Sequence, residues 1–169
     1  DRISSGNNAM GRAAMCLNTT GAVNVGIGDF ALSNNTTASY NTAVGRNALT
    51  QNTTASFNTA VGRAALFHNT EGHSNTASGY SAIRLNTTGD YNTAVGYDSL
   101  TANNTGEHNT AFGYKSLATC TTGKYNTAIG YNALTALTQF SESGGNQLGS
   151  SNTAVGYESI KSVTTGYDN

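Results

Sequence analysis

The chain has no proline, no tryptophan, only two cysteines and little charge, 10% of its 169 residues. Each scarcity excludes something. Eight Lys and Arg against nine Asp and Glu leave a formal net charge of −1. With no basic cluster, the electrostatic footprint of a nucleic-acid binder is missing, so no nucleic-acid partner is expected. No apolar run reaches the length that spans a bilayer, and no secretory leader is recognisable, so no membrane insertion of this segment is expected. The composition also argues against an ordinary single core, because Asn, Thr, Gly and Ala crowd the sequence. Low charge with so much Gly and Thr would suit a disordered low-complexity segment. Strict periodicity overrules that reading.

The period is marked by Asn-Thr-Ala-Val-Gly, which starts at Asn41, Asn58, Asn92 and Asn152, with close variants at Asn75, Asn109 and Asn126 and degenerate copies at Asn7 and Asn24. From Asn7 to Asn126 every step is 17 residues, and the last, from Asn126 to Asn152, is 26. Counting slots from the marker Asn, the unit reads Asn-Thr-Ala-Val-Gly-Tyr-x-Ala-Leu-x-x-Asn-Thr-Thr-Gly-x-Tyr. Residues 1–169 are thus read as one repeat array, with coils starting at 7, 24, 41, 58, 75, 92, 109, 126 and 152. The extra nine residues are expected to loop out within 135–151. Both ends fall in mid-repeat, and the array is expected to continue beyond them.

Slot 5 is Gly throughout (Gly11, Gly28, Gly45, Gly62, Gly79, Gly96, Gly113, Gly130 and Gly156), which implies positive φ or close backbone approach. The Asn-Thr-Thr-Gly run at slots 12–15 reads as a turn. Slots 2–4 and 8–9 are left as candidate short strands. Slot 3 is never larger than Ala, slot 4 is mostly a larger apolar residue, and slot 9 is always Leu, Ile or Met. Adjacent strand residues point to opposite faces, so both faces of the slot 2–4 strand are apolar and the outer one wants a neighbour. A 17-residue coil encloses little apolar volume and must be stabilised by stacking on its neighbours. The expected fold is therefore all-β: a parallel β-solenoid or β-roll of 17-residue coils, intertwined or side by side in a homotrimer. Like slots would form ladders about 4.8 Å apart, with the Asn of slots 1 and 12 suited to hydrogen-bonded amide columns. A helical reading fails, since each unit carries β-branched residues and usually two Gly, with no apolar stripe at helical spacing.

Few residues invite a chemical reading. Asp90 and Glu107 share slot 16 on adjacent coils, and a glycosidase would need two carboxylates about 5–9.5 Å apart. Solvated turn residues are the plainer reading. Gly26-Ile27-Gly28-Asp29-Phe30-Ala31 matches a dinucleotide-binding pattern, but that pattern has meaning only between a strand and a helix. His68, His73 and His108 fall in slots 11, 16 and 17 and read as turn histidines rather than ligands. Cys16 and Cys120 sit about six coils apart, far beyond the ~7 Å that a disulfide tolerates, so both are expected as thiols packing like small apolar residues. No catalytic, metal or cofactor site is expected.

Possible ligand contacts lie elsewhere. Slot 6 changes from Arg12, Asp29, Arg46 and Arg63 to Tyr80, Tyr97, Tyr114, Tyr131 and Tyr157. Stacked tyrosines stabilise a sheet, and Tyr97, Tyr114 and Tyr131 are also candidates for a glycan-binding stripe. Insertions in solenoids often mark a binding face, which makes Phe140, Glu142 and Gln147 the residues to test there.

The Asn-Thr-Ala-x-Gly-Tyr-x-Ala-Leu unit followed by Asn-Thr-Thr-Gly resembles the repeat arrays of phage tail-fibre proteins. It is also similar to the head domain of trimeric autotransporter adhesins, whose repeats build a trimeric parallel β-roll. The resemblance implies an extracellular, non-enzymatic fibre shaft on a virion tail or bacterial surface. Its partners would be copies of itself and, possible on either surface, a cell-surface glycan or protein receptor. An adhesin head binding host matrix or glycan is the alternative. An ice-binding solenoid is disfavoured, because the paired Thr of slots 13 and 14 are adjacent rather than two residues apart.

Overall fold

The computed structural model describes residues 6–137 and 149–163. Slots 2–4 form a three-residue strand in each coil: β1 (Asn8–Met10), β2 (Val25–Ile27), β3 (Thr42–Val44), β4 (Thr59–Val61), β5 (Thr76–Ser78), β6 (Thr93–Val95), β7 (Thr110–Phe112), β8 (Thr127–Ile129) and β10 (Thr153–Val155). They pair parallel, in chain order, into one nine-stranded sheet. Like slots lie opposite one another, as Ala43 does to Ala60 and Ala60 to Ala77. A fixed return of the chain to the same sheet makes a parallel β-solenoid. The 26-residue step keeps register, since Thr127 pairs with Thr153 and Ile129 with Val155. The added residues therefore leave the ladder intact. A small second sheet forms beside it, from β9 (Ala136–Leu137) and β11 (Ser162–Val163).

The interior has an apolar half and an amide half. Ala43, Ala48 and Leu49, and most of their equivalents at slots 3, 8 and 9 of the other coils, make one continuous apolar core, with Ser99 and Ser116 buried at slot 8 of two coils. Slots 1 and 12 fill the other half with asparagines that are almost wholly buried. Burial of amides is tolerated only when their donors and acceptors are met. In slot 1, Asn41 Oδ1 accepts the Asn58 backbone N–H at 2.9 Å, and Asn41 Nδ2 donates to the Ala55 carbonyl at 2.9 Å. In slot 12, Asn52 Nδ2 donates to Asn35 Oδ1 at 3.0 Å and also to Ala55 O at 2.9 Å. Only a short side chain with two donors and an acceptor satisfies both directions at once, which is why Asn recurs at these slots.

Slots 8–9, a candidate second strand on sequence grounds, are not extended. They belong to a tight arch with positive φ at slots 7 and 9, as in Asn47 (φ 63°) and Leu49 (φ 48°). The reason is visible in the burial. Ala48 and Leu49 are consecutive and both fully buried, whereas neighbours in a strand point to opposite faces. The left-handed residues swing both side chains inward. Each such residue costs about 1–3 kcal/mol. Bonds between coils offset that cost: Asn47 N–H donates to Asp29 O at 2.9 Å, and Leu49 N–H to Ala65 O at 3.0 Å.

Candidate functional site

The outward face of the nine-stranded sheet is the most regular surface of the protein. Slot 3 points in, so slots 2 and 4 point out. Slot 2 carries Thr42, Thr59, Thr76, Thr93, Thr110, Thr127 and Thr153. Slot 4 carries a column that is apolar in every coil but one, Ser78, and stays open: Val61 is 41% exposed, Phe112 54% and Val155 65%.

An aromatic ladder borders each side of this face. At slot 6, Tyr80, Tyr97, Tyr114, Tyr131 and Tyr157 stack with ring centroids 5.0, 5.5, 5.0 and 5.2 Å apart. At slot 17, Tyr40 stacks on Phe57 at 5.1 Å, and His108 lies between Tyr91 and Tyr125 at 4.9 and 5.1 Å. Near-parallel rings at this spacing cover one another's faces. What Tyr97, Tyr114 and Tyr131 offer a ligand is therefore their edges and hydroxyls. The Lys115 ammonium lies 5.3 Å from the Tyr114 ring centre. A hydrogen bond with Tyr114 is the main cause that raises the Lys115 pKa above its ordinary value.

Where the slot 6 ladder begins, the regular surface is interrupted. The Arg63 guanidinium lies over Tyr80, 5.3 Å from the ring centre, and Nη1 donates to the Tyr80 hydroxyl at 2.8 Å. Slot 10, hydroxylic or small in most coils, holds Phe67 and Arg84 in adjacent ones, with the Arg84 guanidinium 5.9 Å from the Phe67 ring centre. Between the slot 6–7 and slot 10–11 columns these residues open a groove of about 500 Å³, completed by Asn47, Leu85 and Asp98 among others. Sequence reading missed it. Its signal was a cluster of departures from the repeat, not a feature of the repeat itself.

The other residues singled out in the sequence are accounted for as follows. Asp90 Oδ1 accepts the His73 N–H at 2.6 Å, while Glu107 pairs with Lys124 at 2.9 Å. Both carboxylates thus serve the slot 16 column, where Ser39 and Ser56 Oγ accept the same backbone bond. His73 Nδ1 accepts from Ser56 N–H, and His68 Nδ1 donates to Gln51 Oε1 at 2.9 Å. The three histidines lie on different columns, and no His, Cys, Asp and Glu cluster suited to a metal occurs among the described residues. Cys16 is exposed and Cys120 buried, and they are not bonded to each other. Slot 13 hydroxyls are used between coils, as when Thr36 Oγ1 donates to Thr53 O at 3.0 Å. Phe140, Glu142 and Gln147 lie outside the described residues.

No helix among the described residues is long and apolar enough to cross a membrane. No family model matches the chain, and no curated protein or solved structure matches it either.

Proposed function

We propose that this solenoid is the shaft of a structural and adhesive fibre of the phage tail-fibre type, non-enzymatic and extracellular, which associates with copies of itself as a homotrimer. The supporting observation is the outward sheet face. Its slot 4 column is apolar and exposed, and aromatic ladders flank it on both sides. From slot 17 to slot 6 this face measures roughly 38 Å by 20 Å at ordinary strand spacings. That is on the order of the ~800 Å² each partner buries in a standard interface. An exposed apolar column running along a regular face marks an interaction surface. Stiffness along the rod follows from the backbone hydrogen bonds between coils and the slot 1 amide column, which runs from Asn7 to Asn152.

Light scattering coupled to small-angle X-ray scattering tests this reading. The expected result is a threefold mass with an elongated profile. The double variant Val95→Glu, Phe112→Glu should fall to monomer mass with its circular dichroism unchanged, because charge on slot 4 cannot be desolvated in the interface. A compact monomer in the wild type would overturn the reading. One observation favours a second use of the same face. The slot 2 Thr column lies outward on regular strands, a flat row of Thr that an ice-binding surface could use, with the apolar slot 4 column two residues away. Freezing-point hysteresis of a monomeric wild type would select it.

A further inference from the structure

We infer that the groove between Arg63 and Arg84 is a binding site for an acidic sugar, a hexose-sized ring bearing a carboxylate. In a repeat protein, residues that serve the fold recur with the period. Phe67 and Arg84 depart in adjacent coils from a slot that is hydroxylic or small in most others, and Arg63 stands where the slot 6 column turns from Arg to Tyr. These three residues line a single concavity, together with Leu85.

The chemistry of the lining is specific. Neither arginine belongs to a salt bridge among the described residues, although both border the same groove. Arg63 is held over Tyr80 by its bond to the hydroxyl, and Arg84 lies over Phe67. A guanidinium held in a fixed plane keeps parallel donors for a carboxylate, which it binds in bidentate fashion. Asp98 and Asn47 supply acceptors and a donor for ring hydroxyls. Leu85, 40% exposed, gives an apolar patch for the C–H face of the ring. The volume of about 500 Å³ falls in the ordinary range for small-ligand sites, roughly 300–1,000 Å³. Asp98 would repel the anion, and the two guanidiniums outweigh its single charge. Two arginines against one carboxylate leave the groove cationic, in a chain whose formal net charge is −1.

Arg63 and Tyr80 stand at the slot 6 border of the face assigned to self-association, whereas Phe67, Arg84 and Leu85 lie outside it; one chain carries the whole groove, and mass is measured separately, so failure of either reading is seen on its own. Isothermal titration of the full chain with a hexuronate disaccharide provides the test. A neutral hexose disaccharide and inorganic phosphate are titrated alongside. The uronate should bind at least tenfold more tightly than either. Arg63→Gln and Arg84→Gln should each weaken it at least tenfold, whereas Arg12→Gln, on a distant coil, should leave it unchanged. If Arg63→Gln disturbs the Tyr ladder, Arg84→Gln decides, because Arg84 is exposed and outside that ladder. Lack of uronate binding, equal binding of the neutral sugar or of phosphate, or indifference to Arg84→Gln would each overturn the assignment.

Discussion

Cys120 stands at slot 12, where Asn18, Asn35, Asn52, Asn69, Asn86 and Asn103 precede it. Each of these amides from Asn35 onward donates Nδ2 to the Oδ1 of the coil before it, the last bond being Asn103 to Asn86 at 2.7 Å. The thiol cannot continue the column, and Asn103 Oδ1 is left buried without a hydrogen-bond partner. A buried acceptor left unmet costs about 1–3 kcal/mol. Cys120→Asn, which replaces the thiol by the residue the slot is shaped for, should therefore stabilise the protein by about 1 kcal/mol. Thermal unfolding would register this as a rise in Tm of roughly 2–4 °C, whereas Cys120→Ala should give no rise. A second residue-scale consequence concerns pH. Partial burial, and secondarily the charge of Arg84, lower the His68 pKa below its ordinary value. Below about pH 6.5 the unfolded chain takes up this proton more readily than the folded one. The stabilisation linked to His68 is thus complete above that pH and is lost as the pH falls through the folded value. His68→Gln should show a shallower fall in Tm between pH 7.5 and 5 than the wild type. Parallel curves would show that His68 contributes nothing to the slope.

At the scale of the element, strand and arch differ in how they are written into the sequence. The slot 2–4 strands could be read directly, because Thr-Ala-Val alternates in size and faces as strands must. The amide columns could be read too, since a buried Asn at a fixed period has few physical explanations other than a ladder. The arch at slots 5–9 could not. Its left-handed residues include Leu49, Ile83 and Leu117, types whose presence gives no hint of positive φ. Only stacking on neighbouring coils makes that conformation tolerable, and stacking is not a local property. The groove escaped for the opposite reason. Phe67 and Arg84 are exceptions, and a consensus averages exceptions away. The one arch position with a clear signature is slot 5. Gly62 has φ 129°, and a Cβ there would lie 2.4 Å from the Gly79 carbonyl oxygen of the next coil. Gly62→Ala combines backbone strain of about 1–3 kcal/mol with a backbone overlap that no side-chain motion relieves. It should lower stability by at least about 3 kcal/mol in denaturant unfolding, far more than an Ala substitution at exposed Thr88. A loss below about 1 kcal/mol would mean that the coils separate easily at this edge.

Across the whole molecule, stability is approximately a sum over coils and the interfaces between them, so the coil is the unit that can be removed. Excision of residues 92–108 would join Tyr91 to Asn109 and restore the sequence of slot 17 to slot 1. The slot 1, 3, 9 and 12 columns would then close over the gap, with Asn109 stacking on Asn75 as Asn92 does now at 2.9 Å. The shortened chain should keep its β-rich circular dichroism and unfold cooperatively at a somewhat lower temperature. Excision of 92–107, one residue fewer, is a different matter. It leaves a surplus residue in the joined coil, where every slot from 17 onward must either shift or bulge. The 26-residue step from Asn126 to Asn152 shows where a surplus is absorbed without harm, after the slot 9 residue Leu134 and before the slot 15 residue Gly149. The junction at Tyr91 lies instead at slot 17, next to the buried Asn column, where a shift would move an amide out of the interior and a neighbour into it. The 16-residue excision should therefore cost much more stability than the 17-residue one, although it removes less of the protein. Equal melting temperatures for the two would show that the columns tolerate slippage, and that length rather than register holds the rod together.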